Sequence, residues 1–309
     1  MREKRPVGVD EVDEAVLRDR AIPDIDWTVL PEGSLSSRFE APSGSLAVVS
    51  LGDPNAPRVV LAPGVTGSKE DFSLLSPLLV EAGYYVQSFD MAGQYESADA
   101  GPAPRSGRHY DYELFVDDLL AFLESGSTPA HVLGYSFAGT VAQLAMLRRP
   151  ELFASLALLG TPPLSGKAFR GVRTIGSLAY VVDGRTGAGL MIWGVVTNKN
   201  RVSQRRLDFV RMRFGFTRRT SVDDIIGMMN NAPELRAAVA AVEIPKLVAT
   251  GDHDLWPVTL HSRFARDIGA ELAVYRTGHS PCETTPHQLA RDLLALYRRA
   301  EASAGEPEA

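Results

Sequence analysis

From Arg58 onward the chain repeats two apolar patterns in turn. The segments "RVVLA" (58–62), "YYVQSFD" (84–90), "AHVLG" (130–134), "SLALLG" (155–160) and "IPKLVATG" (244–251) are short and mostly apolar, as in strands buried on both faces of a parallel sheet. Between them, "KEDFSLLSPLLVEAG", "YELFVDDLLAFLES" and "FAGTVAQLAMLRR" carry apolar residues at helical spacing, the first stopping at Gly83 and the last before Pro150. Ahead of them, "WTVL", "SLSSRFEA" and "SLAVVSLG" alternate apolar with polar positions and are punctuated by Pro31, Gly33, Pro42 and Gly44, which predicts antiparallel strands. The helix "TLHSRFARDIG", the strand "ELAVYR" and the helix "PHQLARDLLALYRR" complete the series. Strand and helix in alternation predict an α/β fold with a doubly wound, mostly parallel β-sheet flanked by helices.

The alternation stops over residues 161–240, which read as a loop followed by short helices rich in Arg, Met and Phe, with no good strand. Lying between two sheet strands, this stretch is expected to be a helical cap inserted after the sixth strand of a core formed by residues 27–160 and 241–300. Residues 1–26 are expected to be a charged, solvated leader with a helical patch docked on the body, and residues 301–309 a disordered tail.

Composition narrows the function classes. At 309 residues and 45% hydrophobic, the chain can bury a sizeable core. It has no apolar run of about 18 residues and no signal-peptide core, so a cytoplasmic protein with no membrane partner is expected. Its one cysteine, Cys282, excludes an internal disulfide and a cysteine-based metal cluster. A net charge of −6 gives no global reason to bind nucleic acid. Charge is nonetheless uneven: residues 161–239 hold 13 Lys+Arg against 5 Asp+Glu, or +8, which leaves −6 − 8 = −14 for the rest.

The candidate chemistry centres on "GYSFAG", where Ser136 follows a buried strand and opens a helix. A serine on so sharp a turn needs small neighbours, here Gly134, Ala138 and Gly139, and it meets the free N–H groups of the helix start. G-x-S-x-G alone also describes an ordinary strand-to-helix turn. A nucleophilic hydroxyl needs a base, and the base an orienting acid. Of six histidines, His279 sits in a loop between the last strand and last helix, leaving the same sheet edge as Ser136. His131, His261 and His287 fall in predicted strand or helices and His109 in a polar loop, while His253 remains a rival base. Asp254 lies far enough past the strand 244–251 to turn back toward His279, whereas Asp252 is better placed to shape the turn. Oxyanion donors are expected at the backbone N–H of Phe137 and of Val65, in the glycine loop "APGVTGS".

Five segments, "LAPGVTGSKEDF", "FDMAGQYES", "GYSFAG", "GDHDLWP" and "GHSPCETTP", together resemble the α/β-hydrolase superfamily in order and spacing. The resemblance covers roughly residues 45–160 and 240–300 and implies Ser136 as nucleophile, His279 as base, Asp254 as acid, and Val65 and Phe137 as oxyanion donors. It also implies a lid where residues 161–240 fall. Three positions depart from the pattern: Pro63 replaces a frequent His, Ala138 replaces the second elbow glycine, and "GQYES" replaces a small basic stretch after Asp90, itself expected to be structural. Epoxide hydrolases and haloalkane dehalogenases of this fold carry aspartate at the elbow. Serine points instead to a carboxylic ester, thioester or lactone cleaved through an acyl-serine, with no cofactor and no metal.

The expected partner is a small, largely apolar substrate, with a homodimer left open. Trp193, Met228 and Met229, with Met191, Phe209, Met212, Phe214 and Phe216, are candidates to line its pocket, or else simply hold the cap together. Arg205, Arg206, Arg211, Arg213, Arg218 and Arg219 form either a solvated helix face or a field that steers an anionic substrate. Two other readings compete: a cofactor-free lyase, carbon–carbon bond hydrolase or oxygenase, and a receptor-like ligand binder with little turnover.

Overall fold

The computed structural model describes residues 13–103, 106–170, 172 and 203–304. Its centre is an eight-stranded sheet of order β1-β2-β4-β3-β5-β6-β7-β8. The strands are β1 (Leu35–Ala41), β2 (Gly44–Leu51), β3 (Arg58–Ala62), β4 (Tyr85–Phe89), β5 (Ala130–Tyr135), β6 (Phe153–Leu159), β7 (Lys246–Gly251) and β8 (Glu271–Tyr275). β2 pairs antiparallel with both β1 and β4, and the remaining pairs are parallel.

Continuous apolar runs are explained by burial on two faces. Val60, Ala62, Val132, Leu156, Leu158 and Val248 enter one apolar cluster with α3 (Tyr112–Glu124), α4 (Phe137–Arg148) and α8 (Val258–Asp267). Their sequence neighbours Val59, Leu61, Leu133, Ala157, Leu159 and Leu247 enter a second, with α2 (Ser76–Glu81) and α10 (Pro286–Ala304). Alternate residues of one strand therefore serve opposite layers, so a strand between them has no polar side to display. Buried Arg58 closes the C-terminus of α3, donating to the carbonyls of Leu123 and Phe122, each at 2.8 Å.

Between β6 and β7 the described residues form α5 (Gln204–Phe214), α6 (Arg219–Met229) and α7 (Arg236–Ala240). Before the sheet, α1 (Glu14–Arg20) packs on α10, whose first turn Asp19 caps: its carboxylate accepts from His287 N at 2.8 Å and Gln288 N at 3.2 Å.

Three local expectations change. "WTVL" is a turn, because Asp26 Oδ1 accepts from Thr28 N at 3.0 Å and Thr28 Oγ1 at 2.6 Å. The single helix expected over 69–83 is a 3-10 turn, Lys69–Phe72, followed by α2, with Pro77 in the first turn of α2, where a missing N–H costs nothing. The tail expected to be disordered from Glu301 begins as helix: α10 runs to Ala304, and Tyr84 donates to Glu301 Oε1 at 2.9 Å.

Candidate active site

β5 delivers Ser136 to the C-terminal edge of the sheet. Its N–H still donates to Leu159 O of β6 at 2.8 Å, yet its own backbone has φ 53° and ψ −119°, and α4 starts at the next residue. A side chain in this conformation is strained, and the surroundings hold it there. A Cβ at Gly134 would lie 2.6 Å from Ala138 O, and one at Gly139 would lie 1.9 Å from Thr161 Oγ1. Strand and helix thus meet where only glycine fits, and Ala138, 1% exposed, is accommodated between them. Phe137, as the first residue of α4, has an N–H that the helix itself leaves without an acceptor.

His279, in the loop between β8 and α9 (Pro281–Thr284), places Nε2 3.2 Å from Ser136 Oγ and Nδ1 3.0 Å from Asp254 Oδ1. Asp254 stands in the turn after β7, fully buried, and its Oδ2 accepts from Thr250 Oγ1 at 2.9 Å. Burial works against its charge, but the pull of His279 and the bond from Thr250 outweigh it and hold the carboxyl below the ordinary carboxylate range. An ionised carboxylate only accepts, so the His279 proton lies on Nδ1 and Nε2 is left to accept from the Ser136 hydroxyl.

The other candidates fall elsewhere. Asp252 pairs with exposed His253 at 2.6 Å, and its N–H donates to Tyr275 O, a turn-shaping role. His131 is buried against Tyr297 and Ser155, His287 binds Asp19, and His109 meets Asp224 at the surface. His261 is fully buried, with Nε2 4.0 Å from Asp254 Oδ2 and neither ring nitrogen hydrogen-bonded among the described residues.

The glycine loop after β3 lies against the serine. A Cβ at Gly64 would be 3.0 Å from that of Ser136, Gly67 N donates to Gly64 O at 2.9 Å, and Thr66 takes φ 61°. Val65 follows Gly64 directly inside this turn. Gln94 holds the turn from behind: Oε1 accepts from Thr66 N at 2.9 Å, while Nε2 donates to Ser221 Oγ of α6 at 2.6 Å. Sequence reasoning passed over Gln94, although it belongs to the "GQYES" stretch whose departure from the family pattern was the available signal. Asp90 is buried and accepts from Lys69 N at 2.8 Å and Glu96 N at 3.2 Å, fixing the base of the same loop.

The segment between β6 and β7 corrects one expectation. Arg206 and Arg213 neither face solvent nor stand open to a substrate: both are buried, pairing with Asp71, and Arg206 also with Glu283. Phe209 lies beneath both guanidinium groups, each 5.5 Å from its ring centre. Met229 is buried in the apolar cluster that includes Phe137, with Met228 at its margin. Trp193 and Met191 lie outside the described residues.

A sequence profile of the alpha/beta hydrolase family matches residues 59–292. Epoxide hydrolase A of Mycobacterium tuberculosis is 31% identical over 120 residues, 38% of this chain and 36% of that protein. Strigolactone esterase RMS3 of Pisum sativum is 25% identical over 208 residues, 60% of this chain and 75% of that one. The matched part thus spans about a third of the first relative and three quarters of the second. Among solved structures, epoxide hydrolase VrEH1 from Vigna radiata superposes with a TM-score of 0.70 at 18% identity, covering 87% of this chain and 99% of that one. A hydrolase from Pseudomonas aeruginosa PA01 does so with 0.69 at 22% identity, covering 84% and 97%. Among the described residues no helix is long and apolar enough to cross a membrane. With the profile spanning most of the sheet and the serine, histidine and aspartate meeting at its edge, the chain belongs to the alpha/beta hydrolase family.

Proposed function

We propose that the protein is a serine hydrolase that cleaves a carboxylic ester, or a thioester or lactone, through an acyl-serine intermediate. The observation that carries this reading is the unbroken relay in which His279 reaches Ser136 Oγ at 3.2 Å and Asp254 Oδ1 at 3.0 Å. In this mechanism His279 Nε2 takes the hydroxyl proton as Ser136 Oγ bonds to the carbonyl carbon. The oxyanion that forms is met by the N–H groups of Phe137 and Val65. As the tetrahedral adduct collapses, the leaving alcohol takes the proton from His279. Water, deprotonated by the same nitrogen, then attacks the acyl carbon; as the bond from that carbon to Ser136 Oγ breaks, Oγ takes the proton back from His279 and the acid leaves. Asp254 stays ionised throughout and stabilises the imidazolium.

Relatives named as epoxide hydrolases do not move this reading, because the elbow residue here is a serine. The segment between β6 and β7 acts as a cap over the site, and the apolar side chains it brings, Met228 and Met229 among them, favour a small to medium apolar acyl or alkoxy group.

Turnover of p-nitrophenyl acetate and butyrate by the purified protein tests the reading. Activity is expected to vanish in Ser136→Ala and to fall roughly 10³- to 10⁴-fold in kcat in Asp254→Asn, which keeps the packing but presents the wrong hydrogen-bonding partner to His279. No turnover across an ester, thioester and lactone panel, or turnover that survives in Ser136→Ala, would refute it.

A further inference from the structure

Two loops that build the site are joined by one arginine from the segment between them. Arg206, in the first turn of α5, donates from Nε and Nη2 to Glu283 Oε2 and Oε1 at 2.9 and 2.6 Å. Nη2 also donates to Asp71 Oδ1 at 2.5 Å. Its guanidinium lies 4.3 Å from the centre of the Trp27 ring, and the residue is 2% exposed.

Each carboxylate is fastened to one catalytic loop. Asp71 closes the turn that follows the Gly64–Gly67 loop: its Oδ2 accepts from Ser68 N at 3.3 Å, and a Cβ at Gly67 would fall 2.6 Å from that oxygen. Arg213 reinforces this end, donating to Asp71 Oδ1 and, at 2.9 Å, to Ser68 Oγ. Glu283 belongs to α9, the short helix that follows His279 directly. There Thr284 Oγ1 donates to Ser280 O at 2.9 Å and meets Thr277 Oγ1 at 2.5 Å, so α9 is tied to residues on both sides of His279, and Ser280 Oγ meets the Tyr135 hydroxyl at 2.9 Å.

A buried ion pair yields little net stability, because desolvation of both charges offsets their attraction, but its bidentate geometry is restrictive. The useful product of this cluster is therefore distance and orientation. We propose that Arg206 is a positioning residue for the reaction, setting the separation of the oxyanion loop from His279 by holding Asp71 and Glu283 on one guanidinium. Docking of α5 and assembly of the reactive geometry become a single event. This rests on the serine-hydrolase reading above.

The test uses the full chain and the variant Arg206→Met/Glu283→Gln, which removes the bridge without stranding a charge, since Asp71 keeps Arg213. Wild-type sites are first counted with a fluorophosphonate and assayed with p-nitrophenyl butyrate; failure at this step counts against the hydrolase reading alone. In the variant, kcat per counted site is expected to fall roughly 100-fold, the penalty of a displacement near 1 Å, with KM changed by less than about threefold. Amide exchange should quicken in both 64–67 and 277–284, whether or not the protein turns over an ester. Arg206→Lys, which keeps the charge but loses the fork, should restore only part of kcat. Arg236→Met, which removes the half-exposed ion pairs to Glu234 and Asp267, is the control. Wild-type kcat per site in the folded variant, full recovery in Arg206→Lys, or faster exchange confined to α5 would each overturn the proposal. Should the double variant not fold, Glu283→Gln alone is read by the same criteria.

Discussion

Ser136 is held at a backbone conformation that few side chains adopt, and its neighbours determine whether that conformation survives. Gly139 is the most demanding of them, because the position its Cβ would take is filled by Thr161, with Oγ1 at 1.9 Å and Cβ at 2.8 Å. Gly139→Ala must push α4 away from the β6 end, and overpacking of this kind costs about 1–3 kcal/mol. Gly227, in α6, is the contrasting case: a Cβ there meets nothing within 4 Å, so the same substitution improves helix propensity alone. Chemical denaturation should show Gly139→Ala destabilised by about 1–3 kcal/mol with slower ester turnover, and Gly227→Ala stabilised by roughly 0.5–1 kcal/mol with turnover unchanged. Equal effects at the two glycines would mean that elbow packing does not hold the serine.

Among the elements, β5 and α10 share a buried histidine with a pH signature. His131 stacks on Tyr297 with ring centres 4.1 Å apart, its Nδ1 2.8 Å from Ser155 Oγ, and burial lowers its pKa from 6.5 to about 4. The unfolded chain takes up this proton below pH 6.5 while the folded chain refuses it, so stability fully present above 6.5 is lost as pH falls toward 4. Relative to His131→Asn, the wild type should lose about 2.5 kcal/mol between pH 7.5 and 4.5. Parallel pH curves for the two proteins in urea titrations would contradict a neutral buried ring. The strands were legible from the amino-acid sequence because burial on both faces leaves a run such as "VVLA" (59–62) without a polar position. "WTVL" misled because its hydrophobicity belongs to Trp27, buried beside Arg206, while Asp26 turns the backbone. Arg206 and Arg213 misled for the opposite reason: charge in an amphipathic helix suggests solvent, and nothing local reveals that Asp71 and Glu283 wait beneath.

For the whole molecule, the uneven charge has a structural outlet. The basic stretch and the acidic remainder meet in a buried contact, where Arg206 and Arg213 of α5 pair with Asp71, after the glycine loop, and Arg206 with Glu283, after His279. Gln94 and Ser221 add a second tie between that segment and the glycine loop. Ser136, His279 and Asp254 could be picked out in the sequence because each follows a strand that ends on one sheet edge, and parallel topology sends all three loops to the same place. Gln94 and Arg206 could not, since their partners lie in segments whose approach depends on the complete fold.

The serine-hydrolase proposal requires Ser136 to be an activated nucleophile. The most direct measurement is reaction of the purified chain with a fluorophosphonate, with the adduct located by mass spectrometry, beside Ser136→Ala and His279→Ala. Rapid, stoichiometric labelling on Ser136 is expected, disappearing in the first variant and slowing by orders of magnitude in the second. A well-folded wild type that stays unlabelled, or an adduct on another residue, would contradict it.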